Sequence, residues 1–318
     1  MNIDVNGTEV FFLIPPLVSF CISLFTSTGG VSGAFLLLPF QFSVLGFTGP
    51  AVSPTNQLYN IVAIPSGVYR YIKEGRMVWP LTWIVVFGTL PGVFIGALIR
   101  LNYLAEASNF QLFAGLVLLY IGYRLIQPLL SKKKADVQNA EQRFQELVKN
   151  YKKAIADGST EKKSLPRTKV IKFSLKILTY EFYGERYSVN TIIITIISFI
   201  IGIIGGIYGI GGGAIMAPIY VAIFSLPVYT VAGAALMGTF ITSIAGVAFF
   251  QILSPYYPQL SVAPNWILGI LFGIGGFIGM YLGARMQKNM SAKVIKWVLS
   301  LCILFIAIKY ILDFILKL

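Results

Sequence analysis

The sequence predicts an all-α integral membrane protein made of two inverted-topology repeats, with a polar, helical insertion between them. Three observations predict it. Of 318 residues, 56% are hydrophobic and only 12% charged, with a mean hydropathy of +0.77, whereas a soluble domain carries about 25% charged residues. One succession of apolar segments occurs twice, on either side of a polar stretch from Ser131 to Tyr187. Each copy opens on an apolar run broken by glycines.

The net charge of +13 does not point to nucleic acid, because most of it lies in loops beside apolar segments. Positive charge there marks the cytoplasmic side of a membrane. Histidine is absent, which removes the commonest general base and metal ligand. Cys21 and Cys302 both fall within apolar segments and read as packing residues, with no disulfide framework or metal site. Asp4 and Glu9 precede the first apolar run, so a cleavable leader is not expected.

The first repeat is read as residues 1–130. Val10 to Phe47 is apolar except for a break at Ser27-Thr28-Gly29-Gly30-Val31-Ser32-Gly33. As one helix, at about 1.5 Å per residue, it would far exceed a hydrocarbon core of about 30 Å. Split at the glycines it gives two limbs, the second ending near Pro39. Further apolar segments run from about Leu58 to Tyr71, Pro80 to Ile99 and Phe110 to Leu129.

The second repeat, residues 189–318, resumes the pattern at Thr191–Tyr208, Ala214–Phe224, Val231–Leu253, Trp266–Ala284 and Val294–Leu316. Its break, Gly205 to Pro218, superposes Gly30 on Gly209, Gly33 on Gly212 and Pro39 on Pro218. Farther on, Gly88-x3-Gly92-x3-Gly96-Ala97 matches Gly275-x3-Gly279-x3-Gly283-Ala284. These triplets put glycine along one helix face and predict close helix packing. Between them a weaker register sets Ala51 on Ala234 and Asn56 on Thr239.

Charge orients the copies. Arg70, Lys73 and Arg76 mark a cytoplasmic loop, as do Arg285, Lys288, Lys293 and Lys296, whereas the loops near Thr48 and Pro258 are uncharged and read as external. Equivalent loops therefore fall on opposite sides, which makes the repeats inverted about an axis in the membrane plane. Two readings of the broken limbs share this parity, fully spanning or re-entrant. Length favours re-entrant limbs with tips near the midplane, since Ala214–Phe224 offers about 11 residues, or roughly 16 Å of helix. Trp79, Trp266 and Trp297 stand at expected membrane boundaries.

The insertion, residues 131–188, is expected in the cytoplasm with amphipathic helices. Val137, Ala140, Phe144, Val148, Tyr151 and Ile155 recur at helical spacing, with Gly158 as a stop. Lys169, Lys172 and Lys176 beside Phe173, Ile177 and Tyr180 read as a basic helix on anionic lipid.

Every acidic residue can be placed outside the central membrane slab, and no Asp, Glu or Lys falls in a glycine break. A cation carrier or proton pump would keep an ionisable group there, and a catalytic dyad is equally missing. No enzyme activity and no cofactor is expected. Hydroxyl, amide and backbone N–H groups remain, with half-helix N-termini near Ala34 and Ala214, and these donors suit an anion. The candidate substrate-binding residues are Ser27, Thr28, Gly29, Gly30, Ser32, Gly33, Asn56 and Gln57 in the first copy. In the second they are Gly206, Gly209, Gly211, Gly212, Gly213, Thr239 and Ser243. Close packing is the competing role for the glycines, and interhelical hydrogen bonding for Asn56 and Gln57. Thr242 belongs to the same polar set, and Tyr208, aligned with Gly29, would narrow one side. The glycine run lacks the Lys-Ser/Thr ending of a P-loop and the acidic residue of a dinucleotide fold.

The duplicated break ending in proline, Gly30–Pro39 and Gly209–Pro218, with the later Gly-x3-Gly-x3-Gly-Ala segments, resembles the sulfite exporter TauE/SafE family of membrane permeases. The resemblance covers nearly all of the chain except Ser131–Tyr187, and is stronger in the second copy. It implies a multi-pass cell-membrane transporter, an exporter of small sulfur-containing anions such as sulfite, sulfoacetate or related sulfonates. Alternating access at a midplane site is the expected mechanism, driven by membrane potential rather than by proton symport. An anion channel is one alternative. A membrane receptor or scaffold whose insertion recruits a partner is another.

Overall fold

The computed structural model describes residues 2–5, 8–130, 167–182, 185–287 and 292–316, with Glu146, Asn150, Lys153 and Asp157. The helical-spacing residues Val137 to Ile155 and the stop at Gly158 lie outside the described residues. Helices dominate. In the first half they are α1 (Ile14–Thr26), α2 (Ala34–Ser43), α3 (Val52–Lys73), α4 (Trp79–Asn102) and α5 (Ala107–Leu130). The second half holds α6 (Thr191–Tyr208), α7 (Met216–Phe224), α8 (Val228–Leu253), α9 (Trp266–Met286) and α10 (Ala292–Ile315).

The helix starts follow local chemistry. Prolines occupy the first positions of α1 and α4, where a missing N–H costs nothing. Asn190 caps α6 by accepting from the amides of Ile192 at 3.0 Å and Ile193 at 3.1 Å, and Asn265 accepts from Leu268 N at 3.0 Å to start α9. Trp79 and Trp266 open α4 and α9.

Two sheets depart from the all-α expectation. Strands β1 (Asn2–Val5) and β2 (Thr8–Phe11) form an antiparallel hairpin. In the insertion, β3 (Lys169–Phe173), β4 (Ile177–Phe182) and β5 (Glu185–Asn190) form an antiparallel sheet where a basic helix was expected. The correction has a clear cause. Ile177 to Phe182 alternates half-buried and buried positions, with Leu178, Tyr180 and Phe182 inward, so its period is two. Lys169 and Lys172 keep their exposure, but on a strand. The sheet is tied to the helices by Tyr180 Oη and Thr230 Oγ1 at 2.9 Å, and by Thr168 N donating to Gly75 O at 3.0 Å.

Helix packing is exchanged between the halves. Along α4, Gly88 meets Thr195 and Ser198, Gly92 meets Phe199, Gly202 and Ile203, and Gly96 meets Gly206 and Ile207 of α6. Along α9, Gly275 meets Pro16 and Ser19, Gly279 meets Phe20, Ser23 and Leu24, and Gly283 meets Leu24 and Ser27 of α1. Each triplet thus lets a backbone pass against the broken helix of the other half, as the spacing predicted. A Cβ on Gly92 would lie 2.7 Å from Ile203 N, so no other residue fits without moving a helix. The same exchange pairs α3 with α9 and α8 with α4, while α3 and α8 pack on each other, as do α5 and α10.

The outer faces are apolar. Ile192, Ile196 and Ile200 of α6, Ile270, Ile274 and Ile278 of α9, and Leu301, Phe305 and Ile308 of α10 are exposed at helical spacing. In water such stripes would be a large unburied apolar area, whereas lipid accepts them. Among the described residues four helices are long and apolar enough to cross a membrane: Trp79–Asn102, Thr191–Tyr208, Val228–Tyr256 and Trp266–Met286. Cys21, expected to pack, is a free thiol on an exposed face of α1.

Candidate functional site

The two glycine breaks are built alike. After α1 the chain makes a single 3-10 turn, Ser27–Gly29, and Gly30 takes φ +70°. Gly30 N donates to Ser27 O at 3.1 Å and Val31 N to Thr26 O at 3.2 Å. After α6, Gly209 takes φ +75° and Gly211 φ +81°, with Gly209 N and Ile210 N both donating to Gly205 O. These are left-handed helix ends, which only glycine adopts without strain. Space reinforces the choice: a Cβ on Gly30 would run into Ala232 of α8, and one on Gly209 into Ser53 of α3. The limbs that follow are short. Helix α2 has 10 residues and α7 has 9, or roughly 15 Å and 14 Å at 1.5 Å per residue, about half a hydrocarbon core.

Asn60 of α3 joins the two breaks. Its Oδ1 accepts from Ser32 Oγ of the first break. Its Nδ2 donates to Ile210 O of the second break at 2.9 Å and to Ser243 Oγ of α8 at 3.2 Å. Nearby, Tyr208 Oη donates to Phe35 O of α2 at 3.2 Å, and Gly212 N donates to Thr242 Oγ1 at 3.0 Å. All of these side chains are buried. Residues from both halves therefore converge on one polar centre inside an apolar body. Neither α2 nor α7 has a side-chain cap from its N-cap residue, Gly33 or Ile215. The first-turn amides are instead largely satisfied locally: Ala34 N donates to Ser32 Oγ at 3.2 Å, Leu36 N and Leu37 N to Gly33 O, and Met216 N to Gly213 O at 3.0 Å, so an anion would have to exchange these bonds for its own.

The other expected residues divide into those at this centre and those held elsewhere. Gly211 and Gly213 lie against Thr239, and Gly211 also against Ser243. Gly33 sits under Tyr59, whose hydroxyl pairs with Ser23 Oγ at 2.7 Å. Gly212 packs on Thr89 of α4. Ser27 Oγ is buried with no hydrogen-bond partner among the described residues. Thr28 Oγ1 and Thr239 Oγ1 are turned back onto their own chain, donating to Phe25 O at 2.5 Å and Ala235 O at 2.8 Å. Asn56 accepts from Gln41 Nε2 at 2.7 Å and donates to Ala34 O at 3.1 Å, which fixes α2 to α3. Gln57 is buried against Gly246 with its amide unpartnered among the described residues, and Gly206 packs on Val93. Gly29 completes the first turn.

Sequence reasoning missed Asn60, which carries no motif beyond being one polar residue in a polar stretch of α3. It also missed Arg100. This residue lies in the last turn of α4, fully buried, with its guanidinium carbon 3.9 Å from the centre of the Phe110 ring. Its Nε, Nη1 and Nη2 have no hydrogen-bond partner among the described residues. Desolvating a cation costs several kcal/mol, and a cation–π contact returns only about 2 kcal/mol. Arg100 stands just past the apolar segment that ends at Ile99, so it reads as a boundary residue. The signal that could have found it is register: the alignment of Gly96 with Gly283 also sets Arg100 on Gln287.

Gln287 lies at the first break. Its Oε1 accepts from Arg76 Nη1 at 2.6 Å and lies 3.1 Å from Tyr71 Oη, which is itself 3.2 Å from Ser27 O. Arg76 is charge-paired with Glu74 at 2.8 Å, and Glu74 with Arg70 at 2.7 Å.

The family description "Sulfite exporter TauE/SafE" matches residues 16–310, which include both breaks and both glycine triplets. The chain belongs to the sulfite exporter TauE/SafE family. It is 23% identical over 248 residues, 78% of this chain and 76% of the relative, to the protein described as probable membrane transporter protein YunE of Bacillus subtilis (strain 168). No solved structure matches the chain. A TauE/SafE membrane transporter with several apolar spans accounts for the exposed apolar stripes. The exchanged helix packing and the paired breaks are thus features of a transport protein.

Proposed function

We propose that this TauE/SafE transporter moves a small sulfur oxyanion or organosulfonate, such as sulfite or sulfoacetate, out of the cell across the cell membrane. The observation that supports this most is the convergence of both breaks on Asn60, where Ser32, Ile210 and Ser243 meet in a buried polar centre. Hydroxyls and amides there can exchange their mutual hydrogen bonds for bonds to an oxyanion. In this reading the halves are inverted repeats, α2 and α7 are re-entrant limbs, and rocking of one half against the other gives alternating access. The basic insertion lies on the cytoplasmic side, where positive charge belongs. A membrane potential of 100 mV, negative inside, drives one negative charge outward with about 2.3 kcal/mol, so no co-ion is required.

The test is flux in proteoliposomes loaded with sulfite, sulfoacetate or thiosulfate, with potential and pH gradient set independently. Export that follows the potential and persists without a pH gradient is expected. Flux indifferent to potential but abolished without a proton gradient would overturn the uniport part of the reading. No flux of any of the three would overturn the substrate class.

A further inference from the structure

Arg100 is the one fully buried guanidinium among the described residues for which neither an ion pair nor a hydrogen bond is found, and its position in the fold is specific. Helices α4 and α6 run side by side in register, Gly88 against Ser198, Gly92 against Gly202 and Gly96 against Gly206. One further turn along both brings Arg100 level with the Gly209–Ile210 turn of the second break. The aromatic contacts agree. Phe110, over which the guanidinium lies, has its ring 6.0 Å from that of Tyr208 and 5.6 Å from that of Phe42. Tyr208 ends α6 at the break and donates to Phe35 O in α2. The charge is therefore one aromatic ring away from where the two broken segments meet.

The equivalent place at the first break is filled differently. There Gln287 stands where Arg100 would be, and the guanidinium that reaches it, Arg76, is ion-paired with Glu74, a carboxylate that Arg70 shares. The polar centre is consequently asymmetric: the guanidinium near the first break has a carboxylate partner, and the one near the second break has none among the described residues. A buried cation without a partner is a costly arrangement that folding alone does not favour. An anion arriving beside it removes that cost.

We propose that Arg100 is the counter-charge for the transported anion, and that the second break with Arg100 forms its principal subsite. This rests on the anion-transport reading above and deepens it. A guanidinium offers a planar fork of donors that matches two oxygens of one sulfite or sulfonate group, whereas a lysine offers only a point charge. The subsite thus selects oxyanions with two coplanar oxygens over spherical anions such as chloride. Phe110 holds the guanidinium by a cation–π contact, which uses none of its N–H donors.

The experiment measures thermal unfolding of the purified full chain in detergent against rising sodium sulfite, with sodium chloride at matched ionic strength as control. Wild type should be stabilised saturably by sulfite and not by chloride. R100Q and R100M should unfold no earlier than wild type without sulfite, since each removes an unpaired charge, and should lose the sulfite response at least tenfold in apparent affinity. R100K should fold and weaken the response about tenfold, which keeps the test decisive if the neutral variants aggregate. A sulfite response in R100Q, R100M or R100K within twofold of wild type would overturn the proposal while leaving the transport reading intact. A wild type indifferent to sulfite, sulfoacetate and thiosulfate alike would overturn that reading, and this proposal with it.

Discussion

Replacing Asn60 by alanine tests the joint between the two breaks. The substitution removes one acceptor and two donors at once, leaving Ile210 O and Ser243 Oγ without those donors and Ser32 Oγ without its acceptor. A buried polar group deprived of its partner costs about 1–3 kcal/mol. Ser32 and Ser243 are hydroxyls that can rotate toward other acceptors, so the carbonyl of Ile210 bears most of the loss. The expected total is about 3 kcal/mol. Reversible unfolding in mixed micelles, followed by circular dichroism, reads it directly. Asn60→Asp is the companion variant. It keeps the shape and the acceptor for Ser32, loses both donations and offers a negative charge to an anion, so sulfite flux should vanish. Asn60→Ala within about 0.5 kcal/mol of wild type, the range of an inconsequential surface change, together with full flux in Asn60→Asp, would refute the reasoning.

Other predictions concern fit, charge and the insertion. Gly212→Ala places a Cβ 2.8 Å from Thr89 Oγ1 and should destabilise by about 2 kcal/mol, whereas Gly49→Ala, whose nearest neighbour would be 3.8 Å away, should be neutral in the same assay. Glu74→Gln leaves Arg70 and Arg76 without their shared carboxylate and should cost about 3 kcal/mol, recovered in part when Arg76 is also neutralised. Deleting residues 135–163 while keeping the sheet that begins at Lys169 should preserve flux. A cytosolic partner lost with that segment, in a chain that shows no flux with or without it, would favour the scaffold alternative.

Much of the fold was legible because lipid simplifies the reading. Thr191–Tyr208 forms α6 with the limits hydropathy assigned, and the second-half segments end within a few residues of their helices. The glycine triplets were legible because close helix approach admits no other residue, as Gly92 against Ile203 illustrates. The sheet at Lys169–Asn190 was not. Lysines spaced three and four apart imitate a helix face, and the alternating burial of Leu178, Tyr180 and Phe182 becomes decisive only once neighbouring strands pair. At the site, glycines betray themselves by type, while Asn60 and Arg100 look ordinary until the chain is folded. Asn60 matters because its neighbours come from both halves, and Arg100 because its ordinary boundary position turns out to be buried under Phe110. Burial and long-range pairing are tertiary facts with no local trace.

The most direct measurement is a structure of the protein in nanodiscs with sulfite bound. An oxyanion bound where the two breaks meet, on the side of the second break that faces Arg100, is the predicted result. An anion bound away from both breaks, or breaks that emerge at opposite membrane surfaces, would contradict the account.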